Sequence, residues 1–138
     1  MIPVLVLTHG NLADSILESA RQIDPHLVED TDAVTLPWEV DTDAAAADLR
    51  DRLKSMDSGA GVLVLTDMFG GTATNLALPF LEPDRIEIVT GVNLPMMIKL
   101  GSLRDRDVPL HELAGRLAEA GQKSIRLASE FLRSRTAD

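Results

Sequence analysis

The sequence predicts a doubly wound α/β domain: a mostly parallel sheet in the order 2-1-3-4, with helices on both faces. Two observations carry this reading. Short apolar runs alternate with segments of helical periodicity over short loops, the pattern of parallel strands joined by right-handed crossovers. In addition, three of those runs, VLVLTHG, VLVLTDMFGG and IEIVTGVN, pass in the same way from strand to Thr and then to a loop that opens a helix. The length of 138 residues suits one domain spanning 1–138, large enough to bury a core without disulfides or a structural metal.

Taken in order, Ile2 to Leu7 is a continuous apolar run that stops at Thr8-His9-Gly10, as expected of a strand buried on both faces. Asn11 is placed to cap the next helix, in which Leu12, Ile16, Ala20 and Ile23 recur at helical spacing and which Pro25 ends. Ala33 to Leu36 reads as a second strand closed by Pro37. Asp41 and Thr42 then cap a helix carrying Ala45, Leu49, Leu53 and Met56, and Gly59 and Gly61 break it. The third strand, Val62 to Leu65, opens through Thr66-Asp67 and Gly70-Gly71 into a short helix holding Asn75, Leu76 and Leu78. The fourth, Ile86 to Val89, ends at Thr90-Gly91, and Pro95 suits the first turn of the helix after it. Leu110, Leu113 and Leu117 make one more amphipathic helix that Gly121 is expected to terminate. Ser124 to Leu127 fits either a short edge strand or the start of a last helix.

Composition narrows the function. Lys and Arg number 13 against 22 Asp and Glu, a formal net charge of −9 that repels a polyanion, so nucleic acid is not expected as a partner. The absence of cysteine excludes thiolate zinc sites, iron–sulfur clusters and cysteine nucleophiles. The apolar N-terminus is too short for a signal peptide, and the longest apolar runs are strand-sized, so a cytoplasmic protein is expected.

In open parallel sheets, ligands bind beyond the carboxyl ends of the strands, where the strand order reverses. His9, Asp67 and the Gly91 loop are expected to meet there if the first and third strands are neighbours. A neutral imidazole is nucleophilic at one nitrogen, and a carboxylate bonded to the other N–H fixes its tautomer and stabilises the cation that forms. Asp67 is placed to orient His9 in that way. Gly70 and Gly71 let backbone amides approach an anion, two loops open onto helix N-termini, and the Thr72 hydroxyl is a further donor. None of the three loops contains Lys or Arg, which suits transient storage of a phosphoryl group better than tight binding of a nucleotide. Taken singly, His9 and Asp67 also fit capping or turn roles, and the glycines fit simple turns.

The motifs THG, TDMFGGTATN and TGVNLPM, in this order at three strand ends, resemble the enzyme IIA domain of the mannose-family (mannose/fructose/sorbose) bacterial phosphoenolpyruvate-dependent sugar phosphotransferase system. The resemblance runs from Met1 to about Gly121. It implies that His9 accepts phosphate from the phosphohistidine of HPr and passes it to an enzyme IIB partner, with Asp67 as orienter. Gly10, Gly70, Gly71 and Thr72 are then expected to line the phosphate, with no cofactor and no metal. It further implies a homodimer that exchanges a C-terminal strand, which gives Ser124 to Leu127 a candidate role, and contact with the membrane only through transporter partners.

The chain departs from the family wording FGGSPSN by carrying Thr72, Ala73 and Thr74. Thr72 keeps a hydroxyl, whereas Ala73 lacks the proline that shapes a helix start. The sequence stops at Arg135-Thr136-Ala137-Asp138 without the Ala/Pro-rich linker and IIB domain of fused transporters. Two expectations follow: a separate IIB partner, or a stand-alone regulatory protein whose partner binding depends on His9 phosphorylation. Elsewhere, His26 and His111 read as solvated, Trp38 as loop or core packing with docking as its alternative, and Met96 and Met97 as core. The basic C-terminus, with Lys123, Arg126, Arg133 and Arg135, reads as a solvated face. A receiver domain would share an aspartate at the position of Asp67 but needs an acidic pair where this chain has Thr8 and His9. No GxGxxG follows the first strand, and no GxSxG elbow is present.

Overall fold

Four strands pair in parallel in the order β2-β1-β3-β4 in the computed structural model, which describes residues 1–136. The strands are β1 (Val4–His9), β2 (Thr31–Leu36), β3 (Val62–Thr66) and β4 (Ile86–Thr90). The two central strands are the continuous apolar runs, and the edges, TDAVTL and IEIVT, mix in polar residues. This division follows from burial, because only a strand covered on both faces gains from apolar side chains at every position.

Successive residues of β1 and β3 feed opposite cores. Val4, Val6, Leu63 and Leu65 pack with Leu17 of α1 (Leu12–Ile23), Met97 and Leu100 of α4 (Leu94–Leu103), and Leu113 and Leu117 of α5 (Leu110–Lys123). Leu5, Leu7, Val62 and Val64 pack with Leu49 and Leu53 of α2 (Thr42–Met56) and with Ala73 and Leu76 of α3 (Thr72–Ala77). The doubly wound reading is therefore correct, and Met96 and Met97 are core residues as expected.

Local boundaries differ in instructive ways. β1 runs two residues further than the apolar stretch, because Thr8 and His9 still pair with Thr35 and Leu36. β2 starts at Thr31, which pairs with Val4. Gly121 does not end α5 but lies within it, where a Cβ would stand 2.7 Å from Met96 Cε and 3.3 Å from Asn93 Nδ2. α5 packs close to the start of α4 at this glycine, so an added methyl would have to displace the Met96 side chain, which a terminator reading misses.

Ser124 to Leu127 forms no strand. The N–H of Ser124 donates to Ala120 O at 3.1 Å, that of Ile125 donates to Gln122 O at 3.4 Å, and the Ser124 hydroxyl donates to Gly121 O at 2.6 Å. These groups close the last turn of α5 instead of entering a ladder. The chain then continues into α6 (Ala128–Thr136), and Ile125 and Leu127 are left 81% and 64% exposed.

The order 2-1-3-4 sends the loop after β1 to the α1 face and the loop after β3 to the α3 face. A crevice opens between their carboxyl ends.

Candidate functional site

Two buried threonines shape the crevice. Thr8, the last fully buried residue of β1, accepts the Ala13 N–H on Oγ1 at 2.8 Å and donates to His9 O at 3.2 Å. It thus caps α1, whereas Asn11, at the N-cap position, makes no capping bond with its side chain. In the first turn of α3, Thr74 donates to Met68 O at 2.6 Å, so its single proton is committed and Thr66, 2.7 Å away, donates to Thr74 Oγ1. Thr74 ties the first turn of α3 back to the loop that carries Asp67.

The His9–Asp67 pair stands between these anchors. One carboxylate oxygen of Asp67, Oδ2, accepts the His9 backbone N–H at 2.9 Å and lies 2.8 Å from His9 Nδ1. The other, Oδ1, accepts the Met68 N–H at 2.8 Å. Burial pushes the Asp67 carboxyl up, but the His9 N–H, the His9 ring and the Met68 N–H outweigh it and hold the group below the ordinary 3.8. An ionised carboxylate can only accept, so Nδ1 is the protonated nitrogen and the lone pair lies on Nε2. The pair is mostly buried, with side-chain exposures of 18% for His9 and 10% for Asp67.

The glycines surround this ring. Gly71 lies beside it, since a Cβ there would stand 3.3 Å from His9 Cε1 and 3.0 Å from Met68 Cγ. Gly70 takes a φ of +84° and faces open space, a conformation that other residues rarely adopt. Gly10 follows His9 directly, and Thr72 is half-buried at the first position of α3, where helix N–H groups lack helical acceptors. The Gly91 loop joins the end of β3 from the β4 side, with Val92 N–H donating to Thr66 O at 2.9 Å.

Trp38 departs from the packing reading. It is 81% exposed, and its indole stacks on the His9 imidazole with ring centroids 5.3 Å apart and planes 17° from parallel. The sequence signal was only its place in the loop after β2, one strand away from His9. The reading of His26 as solvated also fails. Its ring is part-buried between Glu29, 3.2 Å from Nδ1, and Asp105, 3.0 Å from Nε2, in the turn that leads into the start of β2, at the opposite end of the strands from the crevice. His111 is largely exposed, with Glu87 at 3.2 Å. Among the described residues, no helix is long and apolar enough to cross a membrane.

Comparison with known proteins gives the chain its relatives. The family model EIIA-man, described as PTS system fructose IIA component, matches residues 3–118. The chain is 30% identical over 135 residues to the PTS system fructose-specific EIIA component of Bacillus subtilis, covering 96% of this chain and 90% of that protein. It is 28% identical over 128 residues to the PTS system mannose-specific EIIAB component of Escherichia coli K12, covering 91% of this chain but only 39% of that longer protein. Among solved structures, phosphotransferase system component EIIA from Streptococcus agalactiae superposes with a TM-score of 0.81 at 26% identity, covering 94% of this chain and 99% of that one. The mannose/sorbose specific IIA subunit from Enterococcus faecalis does so with a TM-score of 0.79 at 29% identity, covering 92% and 95%.

Proposed function

The chain belongs to the EIIA-man family of sugar phosphotransferase components, and from that premise we propose that His9 is its phosphoryl acceptor, taking phosphate from HPr and passing it to an enzyme IIB partner. The observation that carries this reading is the double use of Asp67 Oδ2 by the backbone and ring of His9. With Nδ1 committed to the carboxylate, the Nε2 lone pair attacks phosphorus. The P–N bond to His9 forms as the P–N bond to the donor histidine breaks, and the ring becomes a phosphoimidazolium whose charge Asp67 offsets. Transfer to IIB runs the same exchange in the other direction.

In this reading Gly10, Gly70, Gly71 and Thr72 line the phosphate: Gly70 and Thr72 offer backbone N–H groups and a hydroxyl, whereas Gly10 and Gly71, whose N–H groups donate to Leu36 O at 2.9 Å and Met68 O at 3.4 Å, make room by lacking a side chain. The close approach of Gly71 to the ring supports it. The loops after β1, β3 and β4 carry no Lys or Arg, which suits a phosphate held for transfer. The whole chain, residues 1–138, acts as one IIA domain in the cytoplasm and meets the membrane only through transporter partners, which select the sugar.

The homodimer belongs to the same proposal. β4 is an edge strand, and the groove beside it, about 560 Å³, is lined by Ile88, Met96, Ala114 and Ala118. Ile125, 81% exposed, itself stands in the lining of this groove, so a second copy seated here would cover it together with the groove. Sedimentation of the full chain tests this: a concentration-independent monomer would remove the dimer.

The acceptor is tested by incubating the protein with phosphoenolpyruvate, enzyme I and HPr. An acid-labile, base-stable phosphate that vanishes in His9→Ala is expected, followed by its transfer to a IIB protein. Label that survives His9→Ala would sink the assignment, and label that forms but never leaves for IIB would turn the protein into a phosphorylation-dependent regulator.

A further inference from the structure

We infer that Trp38 is a positioning residue for His9, its indole face holding the imidazole and stabilising the ring's positively charged, phosphorylated form. The inference rests on His9 being the phosphoryl acceptor. Trp38 lies near the carboxyl end of β2, and nothing in either core needs it: at 81% exposure it gains little from burial. What it covers is the site. The indole stacks on His9 with centroids 5.3 Å apart, and a Cβ built on Gly10 would lie 3.8–4.0 Å from atoms of the same indole.

The imidazole is therefore bounded on three sides, by Asp67 at Nδ1, by Gly71 near Cε1 and by Trp38 over one face. Nε2 is left as the open nitrogen. Phosphoryl transfer turns the ring into a cation, and a cation within about 6 Å of an indole centroid is attracted to its face. Loss of phosphate to water reverses the charge: water attacks phosphorus, the P–N bond breaks with its electron pair returning to Nε2, inorganic phosphate departs, and a proton passes to solvent. A residue that stabilises the cation and covers one face slows that loss. Phe preserves the aromatic face, whereas Leu preserves bulk without it.

The full chain and its W38F, W38L and W38A variants are phosphorylated with HPr and enzyme I, separated from both, and followed for loss of label, with melting curves recorded alongside. W38F is expected to hold its label within about twofold of the wild-type lifetime, and W38L and W38A to lose theirs about threefold faster or more, with melting unchanged. The sequence has one Trp and no Tyr, so intrinsic emission reports this ring alone. It should change when the wild type is phosphorylated and stay constant in His9→Gln. A wild-type lifetime in W38L or W38A, or emission blind to phosphorylation, overturns the inference. Absence of label on the wild type instead overturns the acceptor reading beneath it, so the two failures are distinct.

Discussion

The backbone N–H and the ring Nδ1 of His9 converge on a single oxygen of Asp67, at 2.9 and 2.8 Å. The first bond ties the end of β1 to the end of β3, and the second sets the tautomer. One carboxylate therefore joins fold and chemistry, and substitution should separate the two effects. Asp67→Asn keeps the shape and an acceptor oxygen but loses the charge that offsets a ring cation. Phosphorylation of His9 is expected to slow by about tenfold or more, with circular dichroism unchanged. An unchanged rate would remove Asp67 from the mechanism.

The same carboxylate predicts a pH effect on stability. Its folded pKa lies below the ordinary value, so its contribution is fully present above the carboxylate range and is lost as pH falls through the folded pKa. Denaturant unfolding of wild type and Asp67→Asn should differ most near neutrality and converge in acid. A gap that is constant with pH would contradict this.

Gly71 offers a test of site geometry that leaves charge alone. An added methyl would meet His9 Cε1 at 3.3 Å and Met68 Cγ at 3.0 Å. Met68 is exposed and can swing away, but the imidazole must give by a few tenths of an ångström, which strains its bond to Asp67 and its stack on Trp38. Gly71→Ala should phosphorylate several-fold more slowly while its melting temperature moves little. Wild-type kinetics in that variant would show that the ring tolerates displacement.

How much of this was legible in the sequence depends on the range of the interaction. The His9–Asp67 pairing was readable because adjacent parallel strands bring their carboxyl ends together; the register, Leu7 opposite Thr66, leaves His9 one residue past the level of Asp67, within reach of its carboxylate. The core was readable because central strands are uniformly apolar. The stack of Trp38 was not, since the path of a Pro37-Trp38 loop depends on packing against another strand's end. The cap of α1 was assigned to Asn11 by proximity, whereas Thr8, counted as strand, reaches Ala13 across the turn. Arg104 went unnoticed as well. It is buried, with Nη1 donating to Thr31 Oγ1 at 2.8 Å and Nη2 to the carbonyls of Ile2 and Asp30 at 3.3 Å. No local pattern marks a helix-end arginine that closes the start of a sheet more than seventy residues away.

The cap itself can be measured. Thr8 is fully buried and its hydroxyl joins the end of β1 to the first turn of α1. Thr8→Val keeps the shape but leaves the Ala13 N–H without its acceptor, which costs about 1–2 kcal/mol in equilibrium unfolding. Thr8→Ser retains the oxygen and should recover the capping share of that loss. Equal stability of the Val and Ser variants would mean that the bond contributes nothing net.

His26 supplies a contrast in sign. The hydrogen bond to Glu29 is the largest influence on its ring; burial opposes it, Asp105 adds to it, and together the two acids raise the pKa above 6.5. A raised folded pKa means that the stabilisation is fully present below the ordinary histidine value and is lost as pH climbs through the folded one. Wild type should therefore exceed His26→Gln in unfolding free energy most clearly at mildly acidic pH, with the difference fading toward the alkaline side. Because Asp67 loses its contribution only at lower pH, the two variants separate on one pH series: the His26→Gln gap closes as pH rises and the Asp67→Asn gap closes as it falls. Added salt should shrink the His26 gap, since both of its acidic partners are exposed. A His26 gap that stays constant with pH would assign the ring's role to packing, with no share left for its charge.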